Sequence, residues 1–105
     1  PAVAVGGRVS NEAGNVGALV AEIAAALTEQ WSFEIVYVND GSTDGTDTEL
    51  KRLMALHPFL RQIRHKQSCG QSAAVRTGVR AARAPLVVHL RRGNLRLHAP
   101  PLLRG

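Results

Sequence analysis

Cysteine occurs once in this chain, at Cys69. A single cysteine excludes a disulfide framework and any cysteine-based zinc site. Aromatic residues make up only 4% of the sequence, so a core must be assembled from Val, Leu, Ile and Ala. No apolar run approaches the roughly 20 residues of a membrane-spanning helix, and the first ten residues lack the apolar core of a secretory leader. Acid is missing from a whole segment. All eight Asp and Glu lie in residues 1–60 beside only Arg8, Lys51 and Arg52, whereas residues 61–105 hold ten Lys and Arg and no acid. A basic surface of that kind attracts anions. It is not interleaved with aromatics, and neither a helix-turn-helix nor a zinc-finger pattern is present, so nucleic acid is not an expected partner. What is present, 105 residues at 45% hydrophobic and 20% charged, is ordinary for one small folded domain. The chain opens at Pro1 without a methionine, and we expect a piece of a longer protein.

Residues 2–5 read as a strand that breaks at Gly6-Gly7, because paired glycines weaken a strand interior and Arg8 is costly to bury. From Asn15, a plausible N-cap, Val16, Leu19, Val20, Ile23 and Leu27 repeat at helical spacing and predict a helix over 16–29. Phe33 to Val38 is β-branched and aromatic, a strand of 33–38, and runs into loop chemistry from Asn39 to Thr46. Thr46 and Glu49 have capping-box spacing ahead of a helix over 47–56. A short strand over 60–64, a helix over 71–82 interrupted by Gly78, and a strand over 86–90 complete the pattern. Strands alternating with helices imply right-handed crossovers and a three-layer αβα fold with a mostly parallel sheet. After Leu90 the pattern is lost in an Arg-rich, Pro-rich tail.

In such a sheet, ligands bind at the carboxyl ends of the strands. Three loops reach that edge: 10–14, 39–46 and the segment from Arg91 onward. Asp40 follows an apolar strand and precedes Gly41, so the turn can aim its carboxylate at a nucleobase N–H or a ribose hydroxyl. Equally, Asp40, Ser42 and Thr43 can form an Asx-type turn that caps the next helix, and the residues alone leave both roles open. His57, His65, His89 and His98 lack zinc-ligand spacing. His89 reads as a satisfied interior histidine, Cys69 as a small loop residue, and Arg76, Arg80 and Arg83 as a solvated helix face.

Taken together, Ser10-Asn11-Glu12-Ala13-Gly14-Asn15, the segment Val36 to Thr46 containing Asn-Asp-Gly-Ser-Thr-Asp-Gly-Thr, and the Gly70, Ala74, Gly78 spacing resemble the inverting family 2 glycosyltransferases. The branch most alike moves a sugar from a nucleotide to a polyprenyl phosphate. The resemblance covers residues 1–90 and implies the donor-binding half of a GT-A (nucleotide-diphospho-sugar transferase) fold, here truncated. It implies that Glu12 and Asp40 touch the nucleoside, with Val9, Ser10, Val38 and Gly70 beside them. It also implies Mg²⁺ or Mn²⁺ as cofactor, a nucleotide-diphospho-sugar and a polyprenyl phosphate as partners, and a cytoplasmic, membrane-associated full-length enzyme that meets the membrane through parts outside these residues.

Two departures stand out. Family members open with an unbroken apolar strand ending in proline and an aromatic before Asn-Glu, where this chain has Gly6-Gly7-Arg8-Val9-Ser10. The strand ending at Leu90 should lead into a metal-holding Asp-x-Asp. Without a gap those acids fall on Arg91 and Gly93, and with one inserted residue on Arg92 and Asn94. Arginine cannot coordinate a metal, so the metal site is not preserved and catalysis by this chain is not expected. Residues 91–105 form an atypical basic tail whose abrupt composition is what a reading-frame change produces. The alternative to a transferase fragment is a non-catalytic nucleotide- or anion-binding module.

Overall fold

The computed structural model describes residues 1–90 and the short strand Leu102–Leu103. Expectations for Arg91, Arg92, Gly93, Asn94 and the rest of the basic tail lie outside the described residues. Strands β1 (Val3–Val9), β2 (Phe33–Asp40), β3 (Leu60–His65), β4 (Leu86–Leu90) and β5 (Leu102–Leu103) form one sheet in the order β3-β2-β1-β4-β5. The first four are mutually parallel, and β5 pairs antiparallel with β4. Helices α1 (Val16–Leu27), α2 (Thr46–Leu56) and α3 (Gln71–Ala81) make the crossovers.

The alternation of each strand sorts its side chains between two faces. Val3, Val5, Val9, Ile35, Tyr37 and Leu90 meet Val16, Val20 and Ile23 of α1 and Leu50 and Leu53 of α2 in the main core. Fully burying a residue such as Ile35 or Leu50 stabilises the fold by roughly 1.5–3 kcal/mol. The opposite face is built from small residues: Ala4, Ala82, Ala84 and Val87 cluster there. Gly78 lets α3 approach until a Cβ at that position would stand 3.7 Å from Val38.

Three local expectations are corrected. β1 does not break at Gly6-Gly7 but continues to Val9, pairing Gly6 with Val36 and Gly7 with Tyr37 on one side and reaching His89 and Leu90 on the other. The glycines leave room for neighbours. A Cβ on Gly6 would stand 3.3 Å from His89 Nδ1, and one on Gly7 would stand 2.9 Å from Tyr37 Cε1. Asn15 does not cap α1 with its side chain; its amide donates to Glu12 Oε2 at 3.0 Å. The Thr46–Glu49 capping box does not form either. Gly45 is the N-cap of α2, and Asp44 just before it accepts the Thr46 N–H at 2.9 Å as well as the Thr46 hydroxyl, while Glu49 is held by Arg52.

At the amino end of the sheet, Glu34 is buried and was not legible as a structural acid. Its Oε1 accepts from Arg61 at 2.9 Å, and its Oε2 accepts the N–H groups of Arg83 at 2.5 Å and Ala84 at 3.0 Å. Burial pushes its carboxyl pKa up, but these donors outweigh burial and hold it below the usual range. The pair ties the end of α3 to β2 and β3.

Candidate functional site

The carboxyl edge of the sheet carries two loops that are bolted together. Asn11 adopts a left-handed backbone conformation (φ 52°), which asparagine tolerates better than most residues. That turn aims its Oδ1 across to the second loop, where it accepts the N–H groups of Thr43 at 2.8 Å and Asp44 at 3.3 Å. In return the Asn11 N–H donates to Ser42 Oγ and the Glu12 N–H to Thr46 Oγ1, both at 2.9 Å. The Asn-Glu pair and the Ser-Thr-Asp-Gly-Thr run, read separately in the sequence, are thus halves of one brace.

Beside this brace lies a polar cleft of about 190 Å³ lined by Arg8, Ser10, Glu12 and Gln71. The structure therefore brings together Ser10 and Glu12 of the expected site, with the Val9 backbone directly before them. Val38 is fully buried under α3.

Asp40 stands elsewhere than expected. Both carboxylates were expected to border one cleft, and only that of Glu12 does. The Asp40 side chain is 0% exposed and lies below the cleft, surrounded by donors. Its Oδ1 accepts from His65 Nδ1 at 2.7 Å and the Cys69 N–H at 2.9 Å. Its Oδ2 accepts from Arg8 Nε at 2.8 Å, the Gly70 N–H at 3.0 Å and Ser68 Oγ at 3.3 Å. Burial alone would push this carboxyl up, but the Cys69 N–H, His65, Arg8 and the Gly70 N–H together hold it far below the usual carboxylate range. Because the carboxylate can only accept, His65 presents an N–H to it from Nδ1, and its Nε2 lies 2.9 Å from the Thr77 hydroxyl. Gly70, with φ 90°, sets the turn that presents its N–H to Asp40.

Arg8 is the residue that sequence reasoning missed. It was noted only as an awkward strand residue. Its signal was the one basic side chain in a strand whose neighbour ends in an acid. Arg76 and Arg80 are exposed on α3 and His89 is buried at 2.9 Å from Gln71 Nε2, as expected of them, whereas Arg83, also exposed, lies past the end of the helix and not on its face.

The described residues do not fit a hard divalent cation. Mg²⁺ and Mn²⁺ favour sets of oxygen ligands. Among the described residues the one convergent group is Asp40, His65 and Cys69, whose ligand atoms lie within 4.8 Å of one another. It offers a single carboxylate, and both of that carboxylate's oxygens are already committed. No described helix is long and apolar enough to cross a membrane.

Comparison with known proteins places this architecture. The family model described as Glycosyl transferase family 2 matches residues 9–90. A dodecaprenyl-phosphate galacturonate synthase from Rhizobium johnstonii is 34% identical over 83 residues, covering 75% of this chain and 24% of that protein. A dolichyl-phosphate beta-glucosyltransferase from Trichomonas vaginalis is 31% identical over 64 residues, covering 61% and 19%. Among solved structures, a mannosyltransferase from Pyrobaculum calidifontis in complex with GDP-Man and Mn²⁺ superposes with a TM-score of 0.74 at 28% identity, covering 87% of this chain and 27% of that one. Residues 1–349 of S. aureus TarS with UDP share the fold, with a TM-score of 0.72 at 18% identity, again over 87% and 27%. The chain spans about a quarter of the length of the relatives it matches. Its sheet order, its braced loops and the match over most of its length make it a member of glycosyl transferase family 2.

Proposed function

We propose that this chain is the donor-binding part, residues 1–90, of an enzyme that moves a sugar from a nucleoside diphosphate to a polyprenyl phosphate. The observation that carries the reading is the polar cleft of Ser10 and Glu12, walled by the two braced loops at the strand ends. Its support from relatives is the pair of polyprenyl-phosphate sugar transferases at 34% and 31% identity.

In that reaction an oxygen of the acceptor phosphate attacks the anomeric carbon. The bond from that carbon to the diphosphate breaks, and its electron pair leaves on the diphosphate oxygen. An acceptor that is already anionic needs no general base. The part played by these residues is binding: Glu12 and Ser10 offer hydrogen bonds to the nucleoside, the Val9 backbone directly before them holds them in place, and Asp40 and Gly70 tie the neighbouring turn to β2. The lipid acceptor implies that the full-length enzyme works at a membrane on the cytoplasmic side.

Calorimetric titration of the chain with UDP and GDP tests the reading. Glu12→Ala should weaken binding by roughly 1–3 kcal/mol, the cost of unmaking a charged hydrogen bond. Failure of the wild-type chain to bind any nucleoside diphosphate would overturn it. A second reading, a non-catalytic nucleotide- or anion-binding module, is favoured by the absence of acids at residues 91–94. Nucleoside diphosphates that bind no better than inorganic pyrophosphate would support that second reading.

A further inference from the structure

Asp40 has no capacity left for a ligand. A carboxylate offers about four lone-pair positions, and five protein donors already converge on it. Four of the five are fixed by the fold: two backbone N–H groups, a histidine pinned by Thr77, and a serine beside them. The fifth is Arg8, which differs in kind. Arg8 also lines the cleft with Ser10, Glu12 and Gln71, and its side chain is 25% exposed. Nε bonds Asp40, and one Nη reaches Ser68 Oγ at 3.4 Å, so these contacts engage two of its five N–H groups.

The polarity of the cleft is thereby reversed at this point. Where an unburdened carboxylate would accept from a ligand N–H, the cleft presents a guanidinium held at a fixed angle, which suits the oxygens of a phosphate or diphosphate. The acid that shares the cleft, Glu12, has Oε2 turned to the Asn15 amide at 3.0 Å.

We propose that Arg8, and not Asp40, is the residue that meets the ligand here, taking the negative charge of a diphosphate, with Asp40 as the positioning residue that holds the guanidinium. The proposal deepens the donor-site reading and rests on it for the identity of the ligand, but the anion site itself is testable without a nucleoside.

The experiment titrates the full chain with inorganic pyrophosphate, with UDP and GDP, and with uridine and guanosine. Arg8→Gln, whose amide still donates to Asp40, should weaken pyrophosphate and nucleoside diphosphates at least about tenfold and leave the nucleosides unchanged. Asp40→Asn should weaken pyrophosphate in the wild-type background and add nothing in the Arg8→Gln background, because a positioning residue acts only through its partner. The double variant replaces an ion pair with an amide pair and leaves no uncompensated charge, so it serves if either single variant does not fold. Pyrophosphate bound by the Arg8→Gln chain or by the double variant as tightly as by the wild type would overturn the proposal, as would no binding to the wild type. If Arg8→Gln abolishes pyrophosphate binding while nucleoside diphosphates bind no better than pyrophosphate, the anion site stands and the donor reading fails.

Discussion

Tyr37 lies over Gly7 so closely that a single methyl on the glycine would sit 2.9 Å from Cε1 and 3.1 Å from Cδ1 of the ring. The two residues are register partners on adjacent central strands, and the ring is 3% exposed. Gly7→Ala should therefore destabilise the chain by roughly 1–3 kcal/mol through overpacking. Gly14→Ala, where no heavy atom lies within 4 Å of the added methyl, should stay within about 0.5 kcal/mol of wild type. Urea unfolding midpoints measure both, and equal shifts would contradict the packing argument.

The Asp40 cage has a pH signature. Its folded pKa is depressed, so the stability it contributes is complete above the unfolded carboxyl value of about 3.9 and is lost as pH falls towards the folded value. At neutral pH, Asp40→Asn should cost roughly 3 kcal/mol or more, the effect of removing one partner of a buried pair. The gap between wild type and variant should narrow steadily below about pH 4. Thermal melts from neutral to acid pH check the sign. A gap that widened in acid would mean that the cage does not favour the charged carboxylate.

Sugar transfer by the isolated 105 residues is not expected. The positions that should hold metal-binding acids are Arg91, Arg92, Gly93 and Asn94, and stabilising a leaving diphosphate is usually a large part of catalysis. Incubation with labelled nucleotide sugars and a short-chain polyprenyl phosphate, with and without Mn²⁺, should yield no labelled lipid. Metal-dependent product would contradict this.

After Val88 the likeness to the family breaks off and arginines stand where acids are expected, which predicts a reading-frame event near codon 89. One possible back-translation of His89-Leu90-Arg91-Arg92, CAC CTT CGA CGG, reads ACC TTC GAC GG one base later, which would encode Thr-Phe-Asp and begin a Gly codon. Sequencing the locus settles the matter. If no shifted frame there encodes an Asp-x-Asp-like segment, the arginines are native chemistry.

The strand and helix order was legible because apolar periodicity survives in every element, from Val16, Val20 and Ile23 to Leu86, Val87 and Val88. What escaped was set by neighbours distant in sequence. Gly6 and Gly7 look like a strand break until His89 and Tyr37, 83 and 30 positions away, are seen to need the space. Thr46 and Glu49 had the right spacing for a mutual cap, but Asp44 stands nearer and Arg52 captures the glutamate. Of the candidate site, the Asn-Glu and Asp-Gly-Ser-Thr motifs were placed at the ends of β1 and β2, where the structure has them. The burial of Asp40 depended on Arg8 and His65 from two other strands, and no local pattern announces such a meeting.

The Asn11 brace makes the two loops a single jaw rather than two fingers. Thr43 and Asp44 both hang their amide groups on one oxygen of Asn11, and Ser42 and Thr46 grip the backbone on either side of it. A residue added to one loop would misalign all of these contacts unless the other lengthened in step. The lengths of the two loops are therefore coupled by geometry, and side chains along the rim can be exchanged without disturbing the brace.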